Sequence, residues 1–222
     1  MFLLPPPTHY PNLIFDLGGV LINLDYSASV TAFGALSHCP EPLAFNQRAQ
    51  APLFDALETG HLGAAEFRAA LRETYQITAA PDEALDAAWN AMLLDVPAVR
   101  LHLLRALRAA GYRLFLLSNT NEIHRAAFDY ILHRDHDLPD GLLGFFEQVY
   151  YSHEVGLRKP DPAIFNRVLA DHHLSPAHTL FIDDSPQHIT AAQAVGISTL
   201  WLAPGQDITA PTALLHALRG QA

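Results

Sequence analysis

The chain has 222 residues, 50% of them hydrophobic and only 16% charged, enough for a substantial core plus a smaller inserted unit but not for three domains. Its 23 acidic and 13 basic residues give a formal charge of −10, a surface that repels nucleic-acid backbones and anionic lipids. No run reaches the roughly 18 apolar residues of a membrane span, so neither nucleic acid nor membrane is an expected partner. Cys39 is the only cysteine, which rules out an intrachain disulfide and fits a reducing compartment. The apolar residues 1–4 lack a basic flank and run into Pro5-Pro6-Pro7, unlike a signal peptide. A cytoplasmic protein, monomeric or homodimeric, is the expectation.

In chain order, Leu13-Ile14-Phe15-Asp16 closed by Gly18-Gly19 reads as a buried strand entering a tight loop. From Tyr26 to about Leu94 no strand pattern occurs. Helical repeats at 64–75 (Phe67, Ala70, Leu71) and 82–93 (Leu85, Ala88, Trp89, Met92) predict an all-α insertion, with Phe45, Phe54 and Trp89 in its core. Residues 23–94 are thereby assigned to the insertion, and 1–22 with 95–222 to the main domain. Residues 97–110 form a helix with Val99, Leu103, Ala106, Leu107 and Ala110 on one stripe, Pro97 at its start and Gly111 beyond its end. Further buried strands are expected at Leu114-Phe115-Leu116-Leu117 and Thr179-Leu180-Phe181-Ile182, with weaker ones at 148–151 and 198–202. Asp161-Pro162 and Ser185-Pro186 look like helix N-caps followed by proline, and 209–218 closes the chain as a helix. Buried strands alternating with helices predict a doubly wound parallel α/β sheet.

In such a sheet ligands gather beyond the carboxyl ends of the strands. Those ends carry Asp16, Ser118-Asn119-Thr120, Ser152-His153-Glu154 followed by Arg158-Lys159-Pro160-Asp161, and Asp183-Asp184-Ser185. Carboxylates this close repel one another unless a hard cation lies among them, and an oxygen-rich set suits Mg²⁺. Glycines after Asp16 let backbone N–H groups face an anion, and Lys159 adds positive charge. The thirteen histidines invite a zinc reading, but His172-His173, His133 with His136, and His9 lack a ligand set. His153-Glu154 reads as solvated loop.

The order Asp16-x-x-Gly-Val, Ser118-Asn119, Lys159-Pro160, Asp183-Asp184 resembles the four motifs of the haloacid dehalogenase-like (HAD) hydrolase superfamily, over almost the whole chain. The helical insertion directly after the first motif is similar to that of its subclass with an α-helical cap. The resemblance implies a phosphatase acting on a small phosphorylated metabolite, a sugar or nucleotide phosphate. In that scheme Asp16 attacks phosphorus and Lys159 neutralises charge. Leu17, Gly18, Gly19, Ser118, Asn119 and Lys159 contact the phosphate. Asp16, the Gly18 carbonyl, Asp183 and Asp184 hold Mg²⁺.

One position departs from the pattern. Most phosphatases of this family carry a second aspartate two residues after the nucleophile as general acid/base, and here that place is Gly18. Losing such a group costs on the order of 10²–10⁴ in rate. Members with a similar Asp-Leu-Gly-Asn/Gly-Val motif, a bacterial sugar-phosphate phosphatase among them, show that the variant is compatible with activity. Asn23, Asp25, a cap residue or the substrate's own leaving group are the candidate substitutes. The rival readings are a carbon–halogen hydrolase, which needs no metal and has no use for Asp183-Asp184, and a catalytically weak phosphometabolite-binding protein. A phosphomutase is disfavoured by Gly18, and a two-component receiver domain by the order of its motifs.

Overall fold

The computed structural model describes residues 2, 4–37 and 52–220; Cys39, Phe45 and residues 1 and 3 lie outside them. The elements are β1 (Asn12–Phe15), α1 (Tyr26–Leu36), α2 (Pro52–Glu58), α3 (Ala64–Thr74), α4 (Asp82–Asn90), α5 (Ala98–Ala109), β2 (Arg113–Ser118), α6 (Glu122–His136), β3 (Gln148–Tyr151), α7 (Ser152–Val155), α8 (Pro162–Asp171), β4 (Thr179–Asp183), α9 (Pro186–Ala194), β5 (Ser198–Trp201) and α10 (Pro211–Leu218). No helix among the described residues is long and apolar enough to cross a membrane.

The strands form one parallel sheet in the order β3-β2-β1-β4-β5. Its centre, β1, is buried at every residue, which is why it reads as an unbroken apolar run rather than an alternating one. The period-two pleat divides the side chains between two layers. Leu13, Phe15, Leu114, Leu116, Leu180 and Ile182 meet α5, α6 and α10, whereas Ile14, Phe115, Leu117 and Phe181 meet α8 and α9. The chain winds from β1 through β2 to β3, then crosses back to β4 on the other side of β1. Winding direction therefore reverses between β1 and β4, and the crevice beyond their carboxyl ends is where a doubly wound sheet takes its ligand.

Helices α1 to α4 build a separate cluster around Trp89, which is fully buried among Phe33, Phe54 and Phe67. Phe54 stacks on Trp89 at 5.1 Å between centroids, and the Trp89 ring stacks in turn on His124 of α6 at 4.6 Å. Ile123 of α6 joins the same cluster, so the helical insertion packs against this core helix.

Three local expectations change. On α5 the buried face carries Leu101, Leu103, Leu104 and Leu107, and Val99 is 44% exposed. Arg100 is drawn inward instead by Asp207, 2.7 Å from its guanidinium, and that rotates the face. Ser185 makes no side-chain cap on α9; the Asp183 carboxylate accepts from the Ser185 N–H at 2.7 Å and does that work. His153-Glu154 is not a solvated loop but part of the helical turn α7, in which Glu154 pairs with Arg125 at 2.5 Å. The His153 carbonyl lies where a Cβ on Gly60 would be, 2.3 Å away, so the insertion's turn at Gly60 sits directly on α7.

Candidate active site

Asp16 follows β1 directly, and Asp183 is the last residue of β4, so parallel pairing of these strands sets the two carboxylates side by side. Lys159 enters between them: its Nζ is 2.7 Å from Asp16 Oδ1 and 2.8 Å from Asp183 Oδ2, with the lysine side chain fully buried. The three groups set one another's charge. Burial pushes the Asp16 carboxyl above its ordinary pKa, and the Asp183 charge adds to this against the pull of Lys159. For Asp183 burial acts the same way, but the Lys159 charge and a bond from His188 outweigh it and hold the carboxyl below the ordinary range. Burial alone would lower Lys159; the two carboxylates reverse this and keep it an ammonium.

The Asp183 carboxylate is thoroughly engaged. Oδ1 accepts from the Ser185 N–H, Oδ2 from Lys159, and His188 Nδ1 lies 3.0 and 3.1 Å from the two oxygens. Asp184, next in the chain, turns toward the loop after β1. A Cβ on Gly19 would stand 2.2 Å from Asp184 Oδ2, and Gly19 has φ +71°, so both space and backbone require glycine there. One oxygen each of Asp16, Asp183 and Asp184 lie within 4.8 Å of one another. Three carboxylates facing one buried ammonium leave an excess of negative charge, and this all-oxygen donor set fits a hard divalent cation such as Mg²⁺.

The Gly19 N–H donates to the Ile22 carbonyl at 2.9 Å, so its amide closes the loop, and the absence of a side chain leaves room for Asp184. Leu17 and Gly18 line the cavity beside Asp16, as do Ser118 and Asn119 from the end of β2. The Asn119 carboxamide grips the backbone of Lys159 from both sides, Nδ2 donating to its carbonyl at 2.8 Å and Oδ1 accepting from its N–H at 2.9 Å. One amide hydrogen of Asn119 then remains for a ligand. Ser152 pins the same loop, its hydroxyl accepting from the Thr120 N–H at 2.9 Å and donating to the Thr120 carbonyl at 3.0 Å.

The other wall of the cavity includes Leu24, Tyr26 and Glu58 from the insertion side and Arg158 from the core. Burial, and then the charges of Asp184, Asp16 and Glu58, push the Tyr26 hydroxyl far above its ordinary pKa, so it remains a phenol. His124 also lines the cavity. Its Nε2 lies 3.2 Å from the Trp89 carbonyl and its Nδ1 3.2 Å from Asn121 Nδ2, so both ring nitrogens are engaged and the proton sits on Nε2. Burial brings its pKa down to about 4. Asn23 donates to Asp95 at 2.9 Å, and Asp25 caps α1 by accepting from the Ser27 N–H at 2.9 Å. Neither is among the residues that line the cavity.

Sequence reasoning did not find His188, Tyr26 or Glu58. For His188 a signal existed: it is the third residue of α9, so its side chain can turn back to the strand end five residues earlier. For Glu58 none did.

A profile of the haloacid dehalogenase-like hydrolases matches residues 10–196. The chain is 30% identical over 198 residues to the D-ribitol-5-phosphate phosphatase of Bacteroides thetaiotaomicron, spanning 88% of this chain and 93% of that protein. Among solved structures it resembles a HAD family enzyme of the same organism, crystallised with magnesium and inorganic phosphate, at TM-score 0.75 and 36% identity over 90% of this chain and 97% of that one. A HAD-like hydrolase from Porphyromonas gingivalis superposes at TM-score 0.80 with 33% identity over 94% and 98% of the two chains. With the parallel sheet, the four ordered motifs at its strand ends and these relatives together, the chain belongs to the haloacid dehalogenase-like hydrolases.

Proposed function

We propose that the protein is a Mg²⁺-dependent phosphomonoester hydrolase acting on a small phosphorylated metabolite, a sugar or sugar-alcohol phosphate, through a phosphoaspartyl intermediate on Asp16. The observation that carries this reading is the buried Lys159 ammonium clamped between Asp16 and Asp183 at 2.7 and 2.8 Å, with Asp184 in reach of the same point. The phosphatase and magnesium-bound relatives support it.

In this scheme an Asp16 oxygen attacks phosphorus, the P–O bond to the alcohol breaks, and water then hydrolyses the aspartyl phosphate, freeing Asp16 and inorganic phosphate. Lys159 offsets charge on the phosphoryl oxygens, and Ser118, Asn119 and the backbone at Leu17 and Gly18 orient them. Asp16, Asp184 and the Gly18 carbonyl would hold Mg²⁺, with Asp183 acting through Lys159 because its oxygens are already engaged. Bound there, the ion would neutralise charge on the transferring phosphoryl group. The reading takes α1 to α4, about residues 23–94, as a cap unit over the site. It also takes the protein as cytoplasmic, which the single cysteine supports, and as monomeric or homodimeric. A carbon–halogen hydrolase has no use for the Asp183-Asp184 pair and is the weaker alternative.

The test is phosphate release from a panel of phosphorylated polyols and sugars. Activity should vanish with chelator and return with Mg²⁺, and Asp16→Asn should lose more than about 10³-fold in turnover while keeping its thermal midpoint. Chelator-insensitive activity, above all on a 2-haloacid, would overturn the reading.

A further inference from the structure

Glu58 is the last residue of α2, and although it belongs to the insertion it is only 5% exposed and lines the cavity that holds Asp16 and Lys159. A buried carboxylate facing a site for a phosphate dianion would repel its ligand unless it were neutralised. Arg158 provides that: its Nη2 is 3.0 Å from Glu58 Oε2, and its Nη1 bonds Asp55, one turn earlier on α2. Arg158 immediately precedes Lys159 in the chain, and the Glu58–Arg158 pair lines the same cavity as the Lys159 ammonium. Tyr26, which stays a phenol, lines the same cavity, as do the apolar Leu24 and Met92. The cavity is small, about 80 Å³.

An acceptor, a donor and a phenol that does both, set among apolar side chains, match a short carbon chain bearing hydroxyl groups. An amine would meet Glu58 favourably but Arg158 unfavourably. A plain alkyl chain would leave all three polar groups without ligand contacts. The carboxylate oxygens of Glu58 are acceptors that a ligand hydroxyl can reach from the cavity.

We propose that Glu58, held by Arg158, is the specificity-determining residue of this site, its carboxylate accepting hydrogen bonds from hydroxyls of a polyol phosphate. The assignment rests on the phosphatase reading above. It is tested by kcat/KM of wild type and Glu58→Gln on three Mg²⁺-dependent substrates: a pentitol 5-phosphate, n-pentyl phosphate and p-nitrophenyl phosphate. Wild type should favour the pentitol ester over the pentyl ester by about 10²-fold or more, because polar groups built to bind hydroxyls reject an analogue without them. Glu58→Gln should reduce that ratio at least tenfold, chiefly through KM of the pentitol ester. Should Glu58→Gln fail to fold, Arg158→Lys, which keeps the charge but not the forked geometry, should reduce the same ratio. An unchanged ratio in the variant that folds overturns the assignment. So does an equal loss on both alkyl esters with p-nitrophenyl phosphate spared, which would mark Glu58 as a proton donor instead. If wild type hydrolyses none of the three, the phosphatase reading itself has failed, and the two failures are thereby told apart.

Discussion

At the sheet edge, functional groups arrive on strand ends. Ser118 ends β2, Asp183 ends β4 and Asp16 follows β1, so their separations are those of neighbouring strands, about 4.8 Å apart, held by backbone hydrogen bonds. Across the cavity, Tyr26 is the first residue of α1 and Glu58 the last of α2, and their placement depends on how aromatic side chains pack around Trp89. The first arrangement survives exchange of any side chain that keeps the sheet. The second shifts whenever a packed ring changes size. On the proposed assignment, reaction chemistry and substrate choice are therefore held by different forces, and one can vary while the other stays fixed.

The largest expected effect tests the charge balance of the strand-end side. Lys159→Met leaves Asp16 and Asp183 buried without their cation and should destabilise the fold by about 3–5 kcal/mol, read by chemical denaturation in chelator. A loss under about 1 kcal/mol would mean that the strand ends do not depend on this charge. A somewhat smaller effect tests the packed side. His124 lies between α6 and Trp89 and has its pKa lowered to about 4 by burial, against an ordinary value of 6.5. The unfolded chain therefore binds a proton more readily than the folded one between those values. The stability that His124 contributes is complete above pH 6.5 and falls by about 3 kcal/mol as pH drops to 4. Unfolding free energies measured from pH 7 to 4 should show this slope, and His124→Gln should flatten it; equal slopes in the two proteins would show that the histidine does not titrate at this contact.

The smallest effect concerns Gly18, where the two sides meet. Its backbone is not in the left-handed region, so aspartate meets no conformational barrier there. The obstacle is Leu24 Cδ1, 2.7 Å from the site of a Cβ, the mobile tip of a side chain. Gly18→Asp should accordingly fold and raise turnover on an alkyl phosphate about tenfold by supplying a proton donor. A stable variant with no gain would mean that another group already protonates the leaving oxygen.

The strand ends were legible from sequence because a strand buried on both faces writes itself as an unbroken apolar run, and the residue that closes each run is polar for a reason. Asp16, Ser118 and Asp183 stood out on that ground alone. Engagements within the site were not legible. That the Gly19 amide bonds Ile22, or that His188 rather than solvent flanks Asp183, follows from loop closure in three dimensions. Glu58 was out of reach for another reason. Helix α2 has seven residues, too few for a periodicity to show, and which of Asp55 and Glu58 turns inward is decided only when the helix docks. Val99 failed more instructively, since its stripe was sound by spacing, and the Arg100–Asp207 pair, 107 positions apart, turned the helix.

The double hold of Asn119 on Lys159 has a consequence for what position 119 can accept. A side-chain amide that donates to a residue's carbonyl and accepts from its N–H reproduces what an adjacent strand residue would offer, so β2 is in effect prolonged by one rung made of side chain rather than main chain. Aspartate has the same shape but only acceptors at neutral pH; it would keep the bond to the N–H and turn a carboxylate against the carbonyl. Serine and threonine are too short to reach both atoms. The rung is therefore specific to a primary amide, and the height at which the lysine ammonium meets its two carboxylates is gauged by the length of one asparagine.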